Sequence, residues 1–342
     1  MKKRKLLVEN KELTEKITIE AMKKEIITKL KKSNDNKLIT TLFYQIYDEV
    51  FNKTIQHYIV DKNLTKVTAV DRIIMSVISA NSDDFSLSKS FIENIGVDMI
   101  NTNKLLNGKI NNLADLLNPK YKSILEPLLY RTIELKRSGG DEGPGEVALE
   151  VMSKNITKAN IGDLIIGNVE VEVKSTQARL ISASYHYGDV NGGLSELGDY
   201  LQQLGFQNPS KTFGFKEGVI NELNKFIKTQ NKSNQMKISN KIKAFFKNVY
   251  NNYGEIFWKE IYKNNQIDVK NWKVAFHGMI FDLYKDADKF NGILFINKKS
   301  LNSVYIEDSK KLKQNKNIFT MNWGPDYGLR IPSGVPQLWL KK

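Results

Sequence analysis

Gly162-Asp163-Leu164-Ile165-Ile166-Gly167-Asn168-Val169-Glu170-Val171-Glu172-Val173-Lys174 is the stretch on which the reading of this chain turns. Gly167-Asn168 is a two-residue turn signal between runs of β-branched residues. The stretch therefore reads as a β-hairpin in which Ile166 pairs with Val169 and, counting outward, Asp163 with Glu172. Side chains alternate across a strand, which puts Val169, Val171 and Val173 on a core face and Glu170, Glu172 and Lys174 on the opposite, solvent-facing one. Carboxylates at facing positions of neighbouring strands lie roughly 5 Å apart and repel each other. A divalent cation between them removes that penalty, and Mg²⁺ binds through one or two carboxylates together with the phosphates of a substrate. Glu170, one pair nearer the turn, reads as solvated.

An acid on one strand followed by acid-x-lysine on the next resembles the active site of the PD-(D/E)XK nuclease superfamily, the matching residues being Asp163, Glu172 and Lys174. Gly162 stands where the superfamily usually has proline. The resemblance implies an α/β fold, a restriction-endonuclease-like mixed sheet flanked by helices, and metal-dependent endonuclease chemistry on DNA. Asp163 and Glu172, with the backbone carbonyl of Val173, would hold Mg²⁺ or Mn²⁺. Lys174 would orient the attacking water or stabilise charge developing on the phosphorane. Many members add a glutamate from the preceding helix. Pro144-Gly145-Glu146 suits a helix start, and Glu146 and Glu150 share one face of that helix, Glu146 being the better match. Beyond the lysine, Gln177 and Arg179 are placed to contact the DNA backbone, and Tyr185-His186-Tyr187 forms an aromatic and imidazole cluster in the next loop.

Composition narrows the alternatives. The 342 residues suffice for two domains, or for one large domain with an insertion, and 41% hydrophobic content is that of a soluble globular protein. No apolar run approaches a membrane span, and Met1-Lys2-Lys3-Arg4-Lys5 leads into only Leu6-Leu7-Val8 before charges resume, so no signal peptide and no membrane partner are expected. The chain has no cysteine, which removes disulfides and thiolate chemistry, and His57, His186 and His277 are too scattered for a zinc pair. A cytoplasmic setting is expected. The net charge of +14 is unevenly placed: residues 201–250 carry nine lysines against Glu217 and Glu222, whereas 151–200 carry four basic and six acidic side chains. A basic wall beside an acidic pocket suits an enzyme acting on a polyanion, with Lys237, Lys241 and Lys243 as candidate phosphate contacts.

Residues 1–137 read as a helical accessory domain, with helices expected over 13–32, 38–60 and from Thr68, then around Ser88–Ile95, Asn111–Leu117 and Ser123–Leu135. The glycine-rich Ser138–Gly145 marks the expected boundary of a nuclease-like domain over 138–342, with a basic helical insertion at about 194–290 and strands at Gly292–Asn297, Ser303–Ile306 and Ile318–Met321. Tyr58–Asp61 and Thr68–Ser82 are similar, more faintly, to the helical pattern of baseplate hub-assembly proteins of contractile-tailed phages. That resemblance implies a phage-encoded chain acting in host cytoplasm, with a phage protein partner docking on the N-terminal domain. A homodimer is compatible with either reading. The chain lacks G-x-x-x-x-G-K-[ST], which argues against an ATP-driven motor. The sequence thus supports two functions: a Mg²⁺-dependent DNA endonuclease, or a noncatalytic phage assembly or DNA-binding protein that keeps the nuclease-like fold.

Overall fold

A computed structural model of the chain describes residues 99–133, 143–153, 155–175, 178–182, 184–186, 188–210, 213–323 and 336–341. The helices expected before residue 99, the linker residues 138–142 and Gln177 lie outside the described residues. The fold is mixed α/β, and its described residues fall into two units, 99–173 with 298–304 and 174–297 with 305–341.

The first unit begins with α1 (Thr102–Leu105), β1 (Asn111–Asn112) and two short 3₁₀ turns, and then α2 (Lys122–Ile133) and α3 (Pro144–Met152). The helix expected at Asn111–Leu117 is not formed. Asn112 reaches Ser300 O with its side-chain amide at 2.8 Å, and the Leu113 N–H donates to Leu301 O at 2.9 Å, so this backbone is committed to the segment at 300–303. Only Leu113–Leu116 coils, as a 3₁₀ turn capped by Asn112. α2 matches its expectation, burying Leu125, Leu129 and Ile133 at helical spacing. α3 buries Ala148, Leu149 and Met152, and the Met152 carbonyl accepts the Met99 N–H at 3.1 Å. Residues on both sides of the boundary expected near 137 thus belong to one unit.

After α3 the chain forms β2 (Ile156–Lys158), β3 (Leu164–Ile166) and β4 (Val169–Lys174), an antiparallel meander. Its register, Ile166↔Val169 and Leu164↔Val171, is the one the sequence predicts. Ile156, Leu164, Ile166 and Val171 are buried, the alternation expected of strands packed on one face.

The second unit contains β5 (Ala178–Arg179), α4 (Val190–Gln203), α5 (Glu217–Thr229) and α6 (Lys232–Ile261), then β6 (Tyr262–Lys263), β7 (Gln266–Ile267) and α7 (Val269–Asp288). It continues with β8 (Gly292–Ile296), β9 (Asn302–Ile306), whose first residues belong to the other unit, α8 (Ser309–Gln314), β10 (Phe319–Trp323) and β11 (Pro336–Leu340). β1, β2, β3, β4, β8 and β9 are the strands of one mixed six-stranded sheet, and β10, β11 and β5 form an antiparallel three-stranded sheet. The late strands expected from the sequence are β8, β9 and β10. Between about 194 and 290 the described residues are largely helical, interrupted between α4 and α5 and by the β6–β7 hairpin, where Asn264 and Asn265 both take positive φ (51° and 55°), the backbone of a type I′ turn. Asn224 satisfies both backbone groups of Ile267 there, at 2.8 and 2.7 Å.

α6 is not one straight helix. Tyr250 and Asn251 leave helical geometry, Asn251 with φ 50°, and the chain folds back on itself. Phe246 and Phe257 would stand about 16 Å apart along a straight helix, yet their ring centroids are 5.0 Å apart. Trp258 Nε1 likewise donates to Ser239 Oγ at 3.2 Å, nineteen residues back. The two arms close around Phe246, which contacts Phe215, Phe245, Phe257, Trp258 and Trp272. Aromatic rings fix their neighbours by shape and bury a large area per residue, which is why the aromatics of this basic segment face inward.

The arms meet at Gly254, where an added Cβ would fall on the Phe246 carbonyl. Gly254→Ala should therefore lower the urea midpoint by a stability loss of about 1–3 kcal/mol or more; an unchanged midpoint would mean that the arms do not touch there. A second expectation concerns His277 on α7, fully buried, with Nδ1 2.8 Å from Lys273 O and Nε2 3.1 Å from Asn322 O. Burial outweighs the two carbonyls and pushes its pKa down to about 4 from the usual 6.5. The fold favours the neutral ring, so His277 leaves stability intact above about pH 6.5 and costs stability as pH falls from there toward 4. Thermal melts at pH 7 and pH 5 should differ more in the native chain than in His277→Gln; equal differences would remove His277 as the cause.

Candidate functional site

Regular β3–β4 pairing ends at Leu164, and the turn just before that residue places the acidic side chains. Gly162 takes φ 71°, a left-handed backbone that side-chain-bearing residues rarely adopt, and turns the chain out of the ladder. In continued register the carbonyl of Gly162 would receive the Val173 N–H. The Asp163 carboxylate takes that place: Val173 N–H donates to Asp163 Oδ2 at 2.7 Å, and the Asp163 N–H donates to Val171 O at 3.0 Å. Asp163 is thus tied to the residues on either side of Glu172, by bonds that replace the regular ladder expected to continue there.

The face they occupy is less open than the alternation suggested. Glu172 is buried, to the same degree as its neighbour Val173, and Lys174 and Glu170 are half-buried. The expectation that Glu172 and Lys174 stand on a solvent-facing side is corrected accordingly: strand period fixes which residues share a face, and the packing around the strand decides whether that face meets water. The Lys174 ammonium lies 5.6 Å from the ring centroid of the buried Tyr284 on α7, a cation–π contact that holds the charge against an aromatic face.

Glu146 is buried in the first turn of α3, where its Oε1 accepts the Gly143 N–H at 2.8 Å. This is the return half of a capping box, the third helical residue reaching back to the amide of the cap. Asp163, just before β3 and hydrogen-bonded to Val173, and Glu172 on β4 are carboxylates that fit a hard divalent cation in donor chemistry. Among the described residues, no group of three or more His, Asp or Glu side chains is gathered to hold a metal ion, so Glu146 does not join the pair in this geometry.

The candidate DNA contacts are spread over different settings. Arg179 is a strand residue, half-buried and paired with Gln337 in the three-stranded sheet, not part of a loop. Tyr185 donates its hydroxyl to Val249 O at 3.1 Å, and burial raises its pKa, whereas His186 is exposed. Of the three lysines singled out on α6, Lys237 is exposed, and Lys243 is bound to Glu255 at 3.0 Å. Lys241 lines a cavity of about 240 Å³ between α4 and α6 together with Asp189 and Glu196. The basic wall is therefore patterned, with acidic groups beside two of these three lysines. No helix among the described residues is long and apolar enough to cross a membrane. The chain matches no protein-family model, no curated protein and no solved structure.

Asp163 has structural work independent of any chemistry, which alanine and asparagine separate. Asp163→Ala leaves the buried Val173 N–H without this acceptor and should cost about 1–3 kcal/mol. Asp163→Asn keeps an acceptor oxygen and should cost less. Equal urea midpoints for both variants would mean that the hydrogen bond contributes nothing to the ladder.

Proposed function

We propose that this chain is a Mg²⁺- or Mn²⁺-dependent DNA endonuclease. The observation that carries the reading is the disposition of Asp163, whose carboxylate accepts the Val173 N–H and whose N–H reaches the Val171 carbonyl. It thereby flanks Glu172 on β4, with Lys174 two residues beyond Glu172 on the same strand. Asp163 and Glu172, with the Val173 carbonyl, would hold the cation. When bound, the cation polarises the scissile phosphate and lowers the pKa of a coordinated water. A carboxylate offers about four acceptor positions, so accepting the Val173 N–H and ligating a cation are compatible. Lys174, steadied by the Tyr284 ring, would place its ammonium on the attacking water or on charge developing at phosphorus, a role suited to a compact point charge. Glu146 enters this reading as the residue that fixes the start of α3 and not as a ligand.

A second reading has one observation in its favour. Asp163 and Glu146 both serve backbone N–H groups in this structure, work that a noncatalytic assembly or DNA-binding protein of the same fold would equally need. Supercoiled plasmid incubated with Mg²⁺, Mn²⁺ or EDTA decides between them. The native chain should nick or linearise the plasmid with either metal and not with EDTA. Asp163→Asn, Glu172→Gln and Lys174→Ala should each slow cleavage at least about 100-fold, the loss of a few kcal/mol of transition-state stabilisation, while Glu170→Gln stays active. Native-like rates in the Asp163 and Lys174 variants, with unchanged circular dichroism, would sink the catalytic reading; no cleavage by the native chain under any divalent metal would hand the case to the noncatalytic one.

A further inference from the structure

We propose that the two arms of α6 present a docking surface for the sugar-phosphate backbone of a nucleic acid, formed by Lys243, Lys247 and Lys259 where they converge on Glu255. The proposal rests on the polyanion-substrate reading above but on none of its chemistry. Lys243 and Lys259 are sixteen residues apart and would stand about 24 Å apart on a straight helix. The reversal at Tyr250–Asn251 brings both to Glu255 Oε1, at 3.0 and 3.2 Å, and Lys247 lies 3.4 Å from Oε2. Three ammonium groups thus share one carboxylate.

Charge and exposure point outward. The Glu255 side chain is 22% exposed, beneath lysine side chains that are 36%, 58% and 67% exposed, for Lys243, Lys247 and Lys259 respectively. One negative charge offsets one of three positive ones. Each ammonium carries three donors, so a single contact to Glu255 does not exhaust its capacity. The first arm reinforces the field, since residues 231–250 contain five lysines and no acidic residue. Three hydrogen-bonding ammonium groups hold the Glu255 carboxyl down to about 2, so the tether stays ionised throughout the neutral range.

The tether also explains why these lysines suit the role better than isolated ones. A lysine gives up about 2 kcal/mol of rotamer freedom when it is fixed, and a side chain already held against Glu255 surrenders part of that freedom before a ligand arrives. The surface carries point charges without the planar fork that reads base edges, so it should bind phosphates without regard to sequence.

Fluorescence anisotropy with a short labelled duplex of mixed sequence, in EDTA and across a salt series, tests this on the full chain. Replacing Lys247 and Lys259 with glutamine should lower affinity several-fold and flatten the slope of log affinity against log salt by about 0.9 for each phosphate that is no longer neutralised. Glu255→Gln should raise affinity, since it removes the only negative charge at the centre of the triad. Lys122→Gln, paired with Asp115 at 3.4 Å in the first unit, should change little. Should Glu255→Gln unfold the arms, Lys247→Gln alone decides, because Lys243 and Lys259 keep Oε1 of Glu255. An unchanged slope in the double variant with an unchanged melting curve would overturn the proposal and leave Glu255 as a staple between the arms. Binding to phosphatidylserine vesicles without binding to DNA would overturn it as well. Absence of cleavage by the native chain, with a salt slope that flattens as expected in the double variant, would count against the nuclease reading alone.

Discussion

A buried backbone N–H has to find an acceptor, and on β4 that requirement fixes the geometry of the candidate site. Once Gly162 turns out of the ladder, Val173 has lost the carbonyl that continued register would supply, and the Asp163 carboxylate supplies it instead. The hydrogen bond holds the acid beside Glu172 without relying on side-chain rotamers alone. Precision at the site is thus a by-product of closing the sheet. The same arrangement means that Asp163 is bound into the fold before any ligand is considered, so loss of function in an alanine variant would not by itself distinguish a catalytic acid from a structural one.

The α6 arms show the complementary arrangement, in which packing organises charge. Phe246 and the rings around it draw the two arms together. Only because they meet does Glu255 reach lysines from both. Each exposed ion pair taken singly contributes little, on the order of 0–1 kcal/mol, so the aromatic core, and not the salt bridges, must carry the stability of the reversal. The lysines are left to act on whatever approaches the surface.

Much of this was legible in the sequence where a local rule acts alone. Gly167-Asn168 between β-branched runs locates the turn, and from it the register from Ile166↔Val169 to Leu164↔Val171 emerges by counting. Apolar spacing finds α2, and the late β-rich runs find β8, β9 and β10. The misses share a physical cause, a local signal overruled by a partner distant in sequence. Asn111–Leu117 has helical spacing but is held by residues near 300. The lysine and aromatic pattern of α6 reads the same whether the helix is straight or folded back, and only Gly254 hints that two backbones approach there. The Asn264-Asn265 turn carries a usable signal, two residues tolerant of positive φ, that is hidden inside a long helical stretch. Burial of Glu172 could not be read at all, because alternation specifies a face and not what covers it.

Glu146 illustrates how the same residue type at the same place can serve two ends. Its position in the first turn of a helix preceding the hairpin is what a third metal-binding acid would need, and it is also what a capping glutamate needs. The cap residue here is Gly143, which has no side-chain oxygen to complete a reciprocal box, so the sequence lacks the usual serine or threonine signal and a metal role is the more natural reading of the residues alone. With Oε1 accepting the Gly143 N–H, the glutamate secures the N-terminus of α3, where a negative charge also favours the helix dipole. A two-carboxylate centre remains sufficient in principle, because Mg²⁺ retains several waters and takes further oxygens from a phosphate substrate. Such a centre would bind its cation weakly in isolation and more tightly with a phosphate substrate present, since the phosphate oxygens would complete the coordination that two carboxylates leave open.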